Sequence, residues 1–449
     1  MLEYSHRTPG FEELYSFLRL SDKEFDIPLS DKLDLEVYAR KLWENSTCIT
    51  CREDGVIVGM LNCYTNRPPQ GYISNVCILG DYQGKGIFVQ MFSELCSVCH
   101  SRGITEILLQ VNKGNHKAIK SYSKLGFVEH EDAGDTLYLK YIIPTVTVIC
   151  CAYNHESFIR QTLEGFVMQN TSFKVEFILH DDASTDNTAE IIREYELKYS
   201  DIIRPIYQKE NQYSRRIGIF RVFACPQVRG KYVAICEGDD YWTDPLKLQK
   251  QVDYMEAHPE VSVCATEGYV YNQASGQMSP IYDSKNTVFY LKNFLRSNPI
   301  STVSTLSRAE WLLEYQTRLA PLLPHFLMGD YPMWFYMAKK GPVILLKDKC
   351  FVYRELAESA SHFTSPYKQM DFYISTYDIK VYFNDLLKIG KCFMGYRRFR
   401  DVRRECRRVV RNGGVRFCTL YLYSLKKLIL HPSPGPSRQA KELVKDIFK

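Results

Sequence analysis

Three apolar runs of strand length each end in a polar cluster, and this repeated pattern leaves few folds open to the chain. Thr145-Val146-Thr147-Val148-Ile149-Cys150-Cys151-Ala152 leads into Tyr153-Asn154, and Val175-Glu176-Phe177-Ile178-Leu179-His180 leads into Asp181-Asp182-Ala183-Ser184-Thr185-Asp186. The third, Tyr232-Val233-Ala234-Ile235, leads into Cys236-Glu237-Gly238-Asp239-Asp240-Tyr241-Trp242. A helix predicted from about Glu156 to Gln169 separates the first two. Near-continuous apolar strands alternating with helices predict an open, parallel α/β sheet. Ligands of such sheets bind beyond the carboxyl ends of the strands, so Tyr153, Asp182 and the acids at 237–240 are expected along one edge.

The third cluster places three carboxylates within four residues. Hard divalent cations take oxygen ligands, and one held by one or two carboxylates with open positions is suited to clamping a diphosphate. The same residues also fit an acidic turn that caps the next helix through Thr243 or Asp244, with Pro245 in its first turn.

The ordered set VTVICCAYNHESFIRQTL, HDDASTDNT, GKYVAICEGDDYWTDPLKLQKQ and MGDYPMWFYMAKKG resembles the family 2 glycosyltransferases of the GT-A fold, across about 145–365. The resemblance implies that Asp182 hydrogen-bonds the nucleotide base with Tyr153 stacking nearby, and that Glu237 lies near the ribose. It implies Asp239 as metal ligand with Asp240 beside it, for Mg²⁺ or Mn²⁺, and Asp330 as the general base that deprotonates the acceptor hydroxyl. Glu237 stands where aspartate is commoner, and it reaches one methylene further. Asp330 also fits a helix N-cap ahead of Pro332-Met333-Trp334, and one carboxylate can serve in both ways. Tyr353-Arg354 reads equally as a pair that closes over the donor and as a surface feature.

The first 143 residues carry a different pattern. The strand Gly71–Leu79 runs into Asp81-Tyr82-Gln83-Gly84-Lys85-Gly86-Ile87, followed by an apolar-periodic helix from about Phe88 to Ser101. Glycines between a strand and a helix let backbone N–H groups approach an anion, and the helix N-terminus adds partial positive charge. A second strand, Ile107–Val111, and a short helix over Asn115–Leu125, closed by Gly126, complete a resemblance to the GNAT N-acetyltransferases across about 10–142. The resemblance implies that Gln83, Gly84 and Gly86 cradle the pyrophosphate of acetyl-CoA, that Asn115 contacts the cofactor arm, and that Tyr122 reprotonates the departing thiolate. Phe88 stands where that family usually has a small residue, and no general base is singled out.

At 449 residues the chain exceeds what one core usually serves. The expected division is a GNAT-like mixed α/β domain over 1–143, a GT-A, Rossmann-like α/β domain over 144–365, and a basic helical C-terminal extension over 366–449. Ile143-Pro144 is the expected seam, and so short a linker predicts a defined orientation between the first two. Of the 15 cysteines, the pairs Cys48-x-x-Cys51 and Cys96-x-x-Cys99-His100 have metal-like spacing, but a strand would point the first two thiols to opposite faces, so no zinc site is expected. An odd count in apolar surroundings suits free thiols in a reducing cytoplasm.

The net charge of +5 conceals an asymmetry: 391–449 holds sixteen Lys and Arg against four Asp and Glu, a net of +12 that leaves −7 for the remainder. Arg397–Arg411 reads as a helix with Phe399, Val402, Cys406, Val409 and Val410 on one face, and after Asn412-Gly413-Gly414 the stretch Val415–Leu430 is apolar but too short and charged to span a membrane. Two readings fit this tail: docking on the anionic inner face of the cell membrane, or packing of its apolar face on the transferase. No base-reading module argues for nucleic acid.

Together these residues predict a cytoplasmic enzyme of surface-polysaccharide assembly with two activities. One is inverting, metal-dependent sugar transfer from a nucleotide-sugar donor, UDP-linked by resemblance, to a saccharide or lipid-linked acceptor. The other is acetyl transfer from acetyl-CoA to an amine such as an amino sugar. Two alternatives fit the same residues: a glycosyltransferase whose front domain only binds coenzyme A or a partner, and a non-catalytic nucleotide-sugar-binding scaffold.

Overall fold

The computed structural model describes residues 2–25, 27–281, 287–356, 365–389, 394–411, 417–430 and 434–448, and every structural statement below concerns these. Two sheets organise them. The first has seven strands in the order Leu2–Ser5, Thr47–Glu53, Val56–Arg67, Gln70–Ile78, Glu106–Asn112, Thr136–Ile142, Val128–Ala133. All neighbours are antiparallel except the central pair, where Gln70–Ile73 run parallel to Glu106–Leu109. Beyond Ile73 and Leu109 these two strands no longer pair, so the sheet splays in its middle.

Alternation along Thr47–Glu53 feeds both faces of this sheet. Ile49 and Cys51 pack under the helix Ile87–Ser101 with Met91, Leu95 and Cys99, whereas Cys48 packs under the helices Phe11–Ser21 and Leu35–Asn45 with Leu14, Leu18 and Leu42. Cys48 and Cys51 therefore lie on opposite faces. Among the described residues no group of three His, Cys, Asp or Glu side chains is arranged to hold a metal.

The second sheet runs Ile203–Tyr207, Val175–Asp181, Val146–Ala152, Tyr232–Ile235, Leu306–Arg308, Val263–Asn272, Val343–Glu355, Tyr241–Trp242. Its first four strands are parallel. Residues alternate between two buried layers, which explains why the strands read as unbroken apolar runs. Val146, Val148, Phe177 and Ala234 meet the helices Ile159–Val167, Thr188–Lys198 and Lys247–Ala257, whereas Ile149, Ile178 and Val233 meet the helices Asp330–Lys340 and Pro366–Leu387. From Val146–Ala152 the chain adds strands first on one side and then, with Tyr232–Ile235, on the other. That reversal opens a crevice beyond the ends of these two strands.

The predicted helix from Glu156 begins instead at Ile159. Asn154 is left-handed at φ +54°, and Glu156 is tied across to the next loop, donating its N–H to Asp186 and accepting the N–H of Asn187, each at 3.0 Å. These bonds hold residues 154–156 as a turn. Between the sheets, Ile143 N–H bonds to Thr105 O just before the strand Glu106–Asn112 and Thr145 N–H to Lys174 O just before Val175–Asp181, so the connection narrows to Pro144.

In the tail, Met394–Arg411 is helical, and Val402, Cys406 and Val409 pack with Met370, Ile374 and Leu420 while Arg403, Arg404, Arg407 and Arg408 stay exposed. The apolar face of this helix thus packs on other helices of the extension itself. Asn412-Gly413-Gly414 and the side chain of Phe399 lie outside the described residues. Among the described residues no helix is long and apolar enough to cross a membrane.

Candidate functional site

The acidic run continues the third strand past its end, and its backbone fixes where the acids sit. Cys236 N–H donates to Ile149 O and Gly238 N–H to Cys151 O, both at 3.0 Å, which lays the run against the tip of Val146–Ala152. Gly238 is required by space: a Cβ there would stand 2.8 Å from His155 Nδ1 and 2.9 Å from Ala152 Cβ. Thr162 Oγ1 then donates to the carbonyls of Gly238 and Asp240, at 3.0 and 2.6 Å.

Asp240 is buried and accepts the backbone N–H of Arg354 at 2.8 Å through Oδ1. Burial raises its carboxyl well above the usual range, and the charges of Asp239 and Glu237 add to this. Glu237 is pushed up to about 7, first by burial, then by Asp239 and, more weakly, by Asp330. The capping alternative does not hold: the helix Lys247–Ala257 has Leu246 at its N-cap position with no side-chain cap bond, Pro245 lies ahead of its first turn, and Asp244 Oδ1 accepts Leu246 N–H in the preceding turn.

Arg354 is 5% exposed and points inward. Its guanidinium donates to Asp239 O and to Gln161 Oε1, so it braces the acidic run from beneath rather than closing over a donor. Arg354→Met removes both bonds and is expected to lower stability by about 2 kcal/mol, the scale of hydrogen bonds made by a charged group. A denaturant titration checks this, and an unchanged midpoint contradicts the bracing role.

Asp330 arrives from the other layer, as the first residue of the helix Asp330–Lys340 with Gly329 at the N-cap position. Burial raises its carboxyl. The indole of Trp334 and the amide of Asn298 both donate to Oδ2, at 3.2 and 3.3 Å, and the backbone N–H groups of Asp330 and Tyr331 also favour the ionised carboxylate. Glu237 and Asp330 line one cleft of about 820 Å³ together with Arg216, Arg221, Gln316 and His325.

Tyr153 is 44% exposed at the end of its strand. Asp182 is 1% exposed, and the loop after the edge strand Ile203–Tyr207 engages both its oxygens: Gln212 N–H donates to Oδ1 at 2.8 Å and Tyr213 N–H to Oδ2 at 2.9 Å. Its carboxylate thus sets the position of the cleft wall that includes Tyr213.

The splay of the first sheet opens a second cleft, of about 780 Å³, where Val76, Ile78, Gln83, Gly84, Gly86, Asn115 and Tyr122 meet. Gly84 and Gly86 are left-handed at φ +76° and +78°, and Gly86 is the N-cap of Ile87–Ser101, so backbone conformation rather than crowding calls for glycine there. Gln83 organises the loop through its side chain, donating to Ile78 O at 2.9 Å and accepting from Lys117 Nζ at 2.6 Å. Asn115 caps its helix through Ala118 N–H, and its side-chain amide N–H groups remain for a ligand. Burial pushes the Tyr122 hydroxyl up to about 12, so it holds its proton at neutral pH. Phe88 meets the Tyr122 ring edge-on, with centroids 5.6 Å apart.

Sequence reasoning missed Asn298, Trp334, Lys117 and Arg354 as supports of these groups. Each lies far along the chain from the group it holds, or, like Trp334, reads as core.

Two family models match: Glycosyl transferase family 2 over residues 147–307 and the Acetyltransferase (GNAT) family over 14–127. The chain is 49% identical over 121 residues to an uncharacterized protein of Mycobacterium tuberculosis, covering 26% of this chain and 34% of that protein. It is 35% identical over 197 residues to the Escherichia coli UDP-Glc:alpha-D-GlcNAc-diphosphoundecaprenol beta-1,3-glucosyltransferase WfaP, covering 44% of this chain and 71% of WfaP. The match thus spans about a third of the mycobacterial protein but most of WfaP. Among solved structures, TarS 1–349 of S. aureus with UDP-GlcNAc is similar at 16% identity and a TM-score of 0.42, over 67% of this chain and 92% of that one.

Proposed function

The chain belongs to glycosyl transferase family 2 and carries a GNAT-family acetyltransferase domain ahead of it, and on that premise we propose a two-headed enzyme of surface-polysaccharide assembly divided at Ile143-Pro144. The rear head transfers a sugar with inversion at C1 from a nucleotide-sugar donor to a saccharide or lipid-linked acceptor. The substrates that WfaP carries in its name support a UDP-linked donor and a diphospholipid-linked acceptor.

One observation carries this reading: Asp330, from a helix packed on the sheet, and Glu237, from the end of a strand, share one cleft at the reversal of strand order. Asp330 takes the proton of the acceptor hydroxyl as that oxygen bonds to C1. The bond from C1 to the diphosphate breaks, and its electron pair leaves with the nucleotide. Tyr153 and Glu237 lie on the nucleotide side.

The crowded acids fit a divalent cation, since Glu237 and Asp240 are raised first by burial and then by the charge of their neighbours, and a cation relieves that repulsion. Asp239 would hold Mg²⁺ or Mn²⁺, with Asp240 beside it, and substrate phosphates complete such sites without a full protein cage. The cation supplies neutralisation of the departing diphosphate. The deciding experiment follows turnover of a panel of nucleotide sugars with and without chelator. Metal-dependent turnover of a UDP-sugar is expected, and no turnover with any donor sinks the reading.

The front head moves acetyl from acetyl-CoA to an amine, with an amino sugar of the same pathway as target. The amine nitrogen attacks the thioester carbon, the carbon–sulfur bond breaks, Tyr122 gives its proton to the thiolate, and the proton of the amine passes to water. Tyr122→Phe is expected to lower kcat for acetyl transfer about 10²-fold or more with coenzyme A affinity unchanged. Equal rates in radiolabelled acetyl transfer would remove Tyr122 from the chemistry.

A further inference from the structure

The second cleft has a wall that the GNAT-family domain does not build. Opposite the glycine loop it is lined by Glu196, Ser200, Arg204, Pro205, Gln227 and Arg229. These residues belong to the other sheet system: the end of Thr188–Lys198, the edge strand Ile203–Tyr207, and the turn before Tyr232–Ile235. The two systems are tightly fitted here. Arg229 is 4% exposed, and its Nη1 donates to Leu125 O at 2.7 Å and to the Tyr141 hydroxyl at 3.3 Å.

Leu125 ends the helix that carries Tyr122. The carbonyl of the same Arg229 pairs with His100 Nε2 at 2.9 Å, close to the end of the helix that the glycine loop begins. Both helices flanking the cleft are therefore anchored on one residue of the transferase. Glu176 lies 3.7 Å from the Arg229 guanidinium, inside the transferase sheet, and balances its charge. At Gly126, left-handed with φ +97°, the Arg204 guanidinium fills the place a Cβ would need.

Two polar atoms of this wall have no partner. The Nε groups of Arg204 and Arg229 are buried and make no hydrogen bond in the structure, an uncommon state for strong donors. A cleft with a helix N-terminus and Lys117 on one side and two guanidinium groups on the other suits a ligand with phosphates at one end and amides along its length.

We propose that the coenzyme A site is composite, with the glycosyltransferase domain forming its second wall. The proposal rests on the acetyl-CoA reading of the front domain. It makes the acetyl head dependent on its neighbour for cofactor binding, which a shared linker alone does not.

Ser200 is an exposed residue of this wall, outside the sugar-transfer site, and its side chain makes none of the anchoring bonds. Coenzyme A is titrated calorimetrically into the full chain, into Ser200→Trp and into Ser200→Glu, with sugar transfer and thermal melting followed in parallel. Ser200→Trp is expected to weaken binding roughly tenfold or more by filling the cleft. Ser200→Glu is expected to weaken it several-fold, about as one added charge near phosphates does, and less so in high salt. Sugar transfer should stay at the wild-type level in both. Wild-type affinity in both variants overturns the composite site and leaves the acetyl-CoA reading standing, whereas no binding by the wild-type chain overturns both. If Ser200→Trp melts early, Ser200→Glu alone decides.

Discussion

Replacing Asp330 by asparagine is expected to lower sugar transfer by about 10²- to 10⁴-fold, the scale of losing a positioned general base. The amide keeps the shape of the carboxylate and can still meet the Trp334 indole and the Asn298 amide through its oxygen, so the helix start at 330 and the cleft should persist. Donor binding, measured by calorimetry with the nucleotide diphosphate, should therefore change little. The pH profile gives an independent check. Burial raises the Asp330 carboxyl, so its active, ionised form is lost as pH falls at a higher pH than for an ordinary aspartate. Transfer by the wild-type enzyme should rise with pH through that raised value and then level, and the residual rate of Asp330→Asn should lack this limb. A variant that transfers at the wild-type rate excludes Asp330 as the base.

Asp239→Asn is expected to cost roughly 10²- to 10³-fold in metal-supported transfer, as removal of one preorganised electrostatic contact to developing charge does. Asp239 is the acid of the run whose side chain the structure leaves least committed. Asp240 is buried on the Arg354 N–H, and Glu237 is already crowded by its neighbours. The backbone carbonyl of Asp239 remains tied to Arg354, so the variant should keep its melting temperature. The measurement is the concentration of Mg²⁺ or Mn²⁺ needed for half-maximal turnover, which should rise steeply. If the metal requirement does not move, the ligand lies elsewhere.

These two variants separate the roles of groups that a stability measurement would treat alike. Loss at Asp330 with the metal requirement intact places the defect in proton transfer. A shifted metal requirement at Asp239 places it in departure of the diphosphate.

How much of this was legible before folding depends on how local each signal is. The glycines at 84 and 86 marked the loop before a helix, and both adopt the left-handed conformation open to glycine, because φ is a property of single residues. The opposite burial of Cys48 and Cys51 followed from the period of two in a strand. Glu156 shows the limit, since its stretch has helical periodicity but its carboxylate is captured by Asn187, from a loop that only the fold brings near. Asp182 shows it more sharply. Its position at a strand end was readable, but engagement of both its oxygens by Gln212 and Tyr213 depends on a loop whose path no periodicity encodes.

The order of strand-like runs and the acids at their ends determined, from the sequence by itself, the parallel part of the second sheet, because hydrophobic period and chain direction are local and additive, whereas the antiparallel entry of Leu306–Arg308 was not legible there. Tertiary structure alone decided which acids share a cleft, that Arg354 braces rather than covers, and that Arg229 joins two helices of the first sheet to the core of the second. The physical reason is burial. Desolvation sets which carboxyl keeps its proton and which guanidinium must find a partner, and it exists only once distant segments have excluded water from one another.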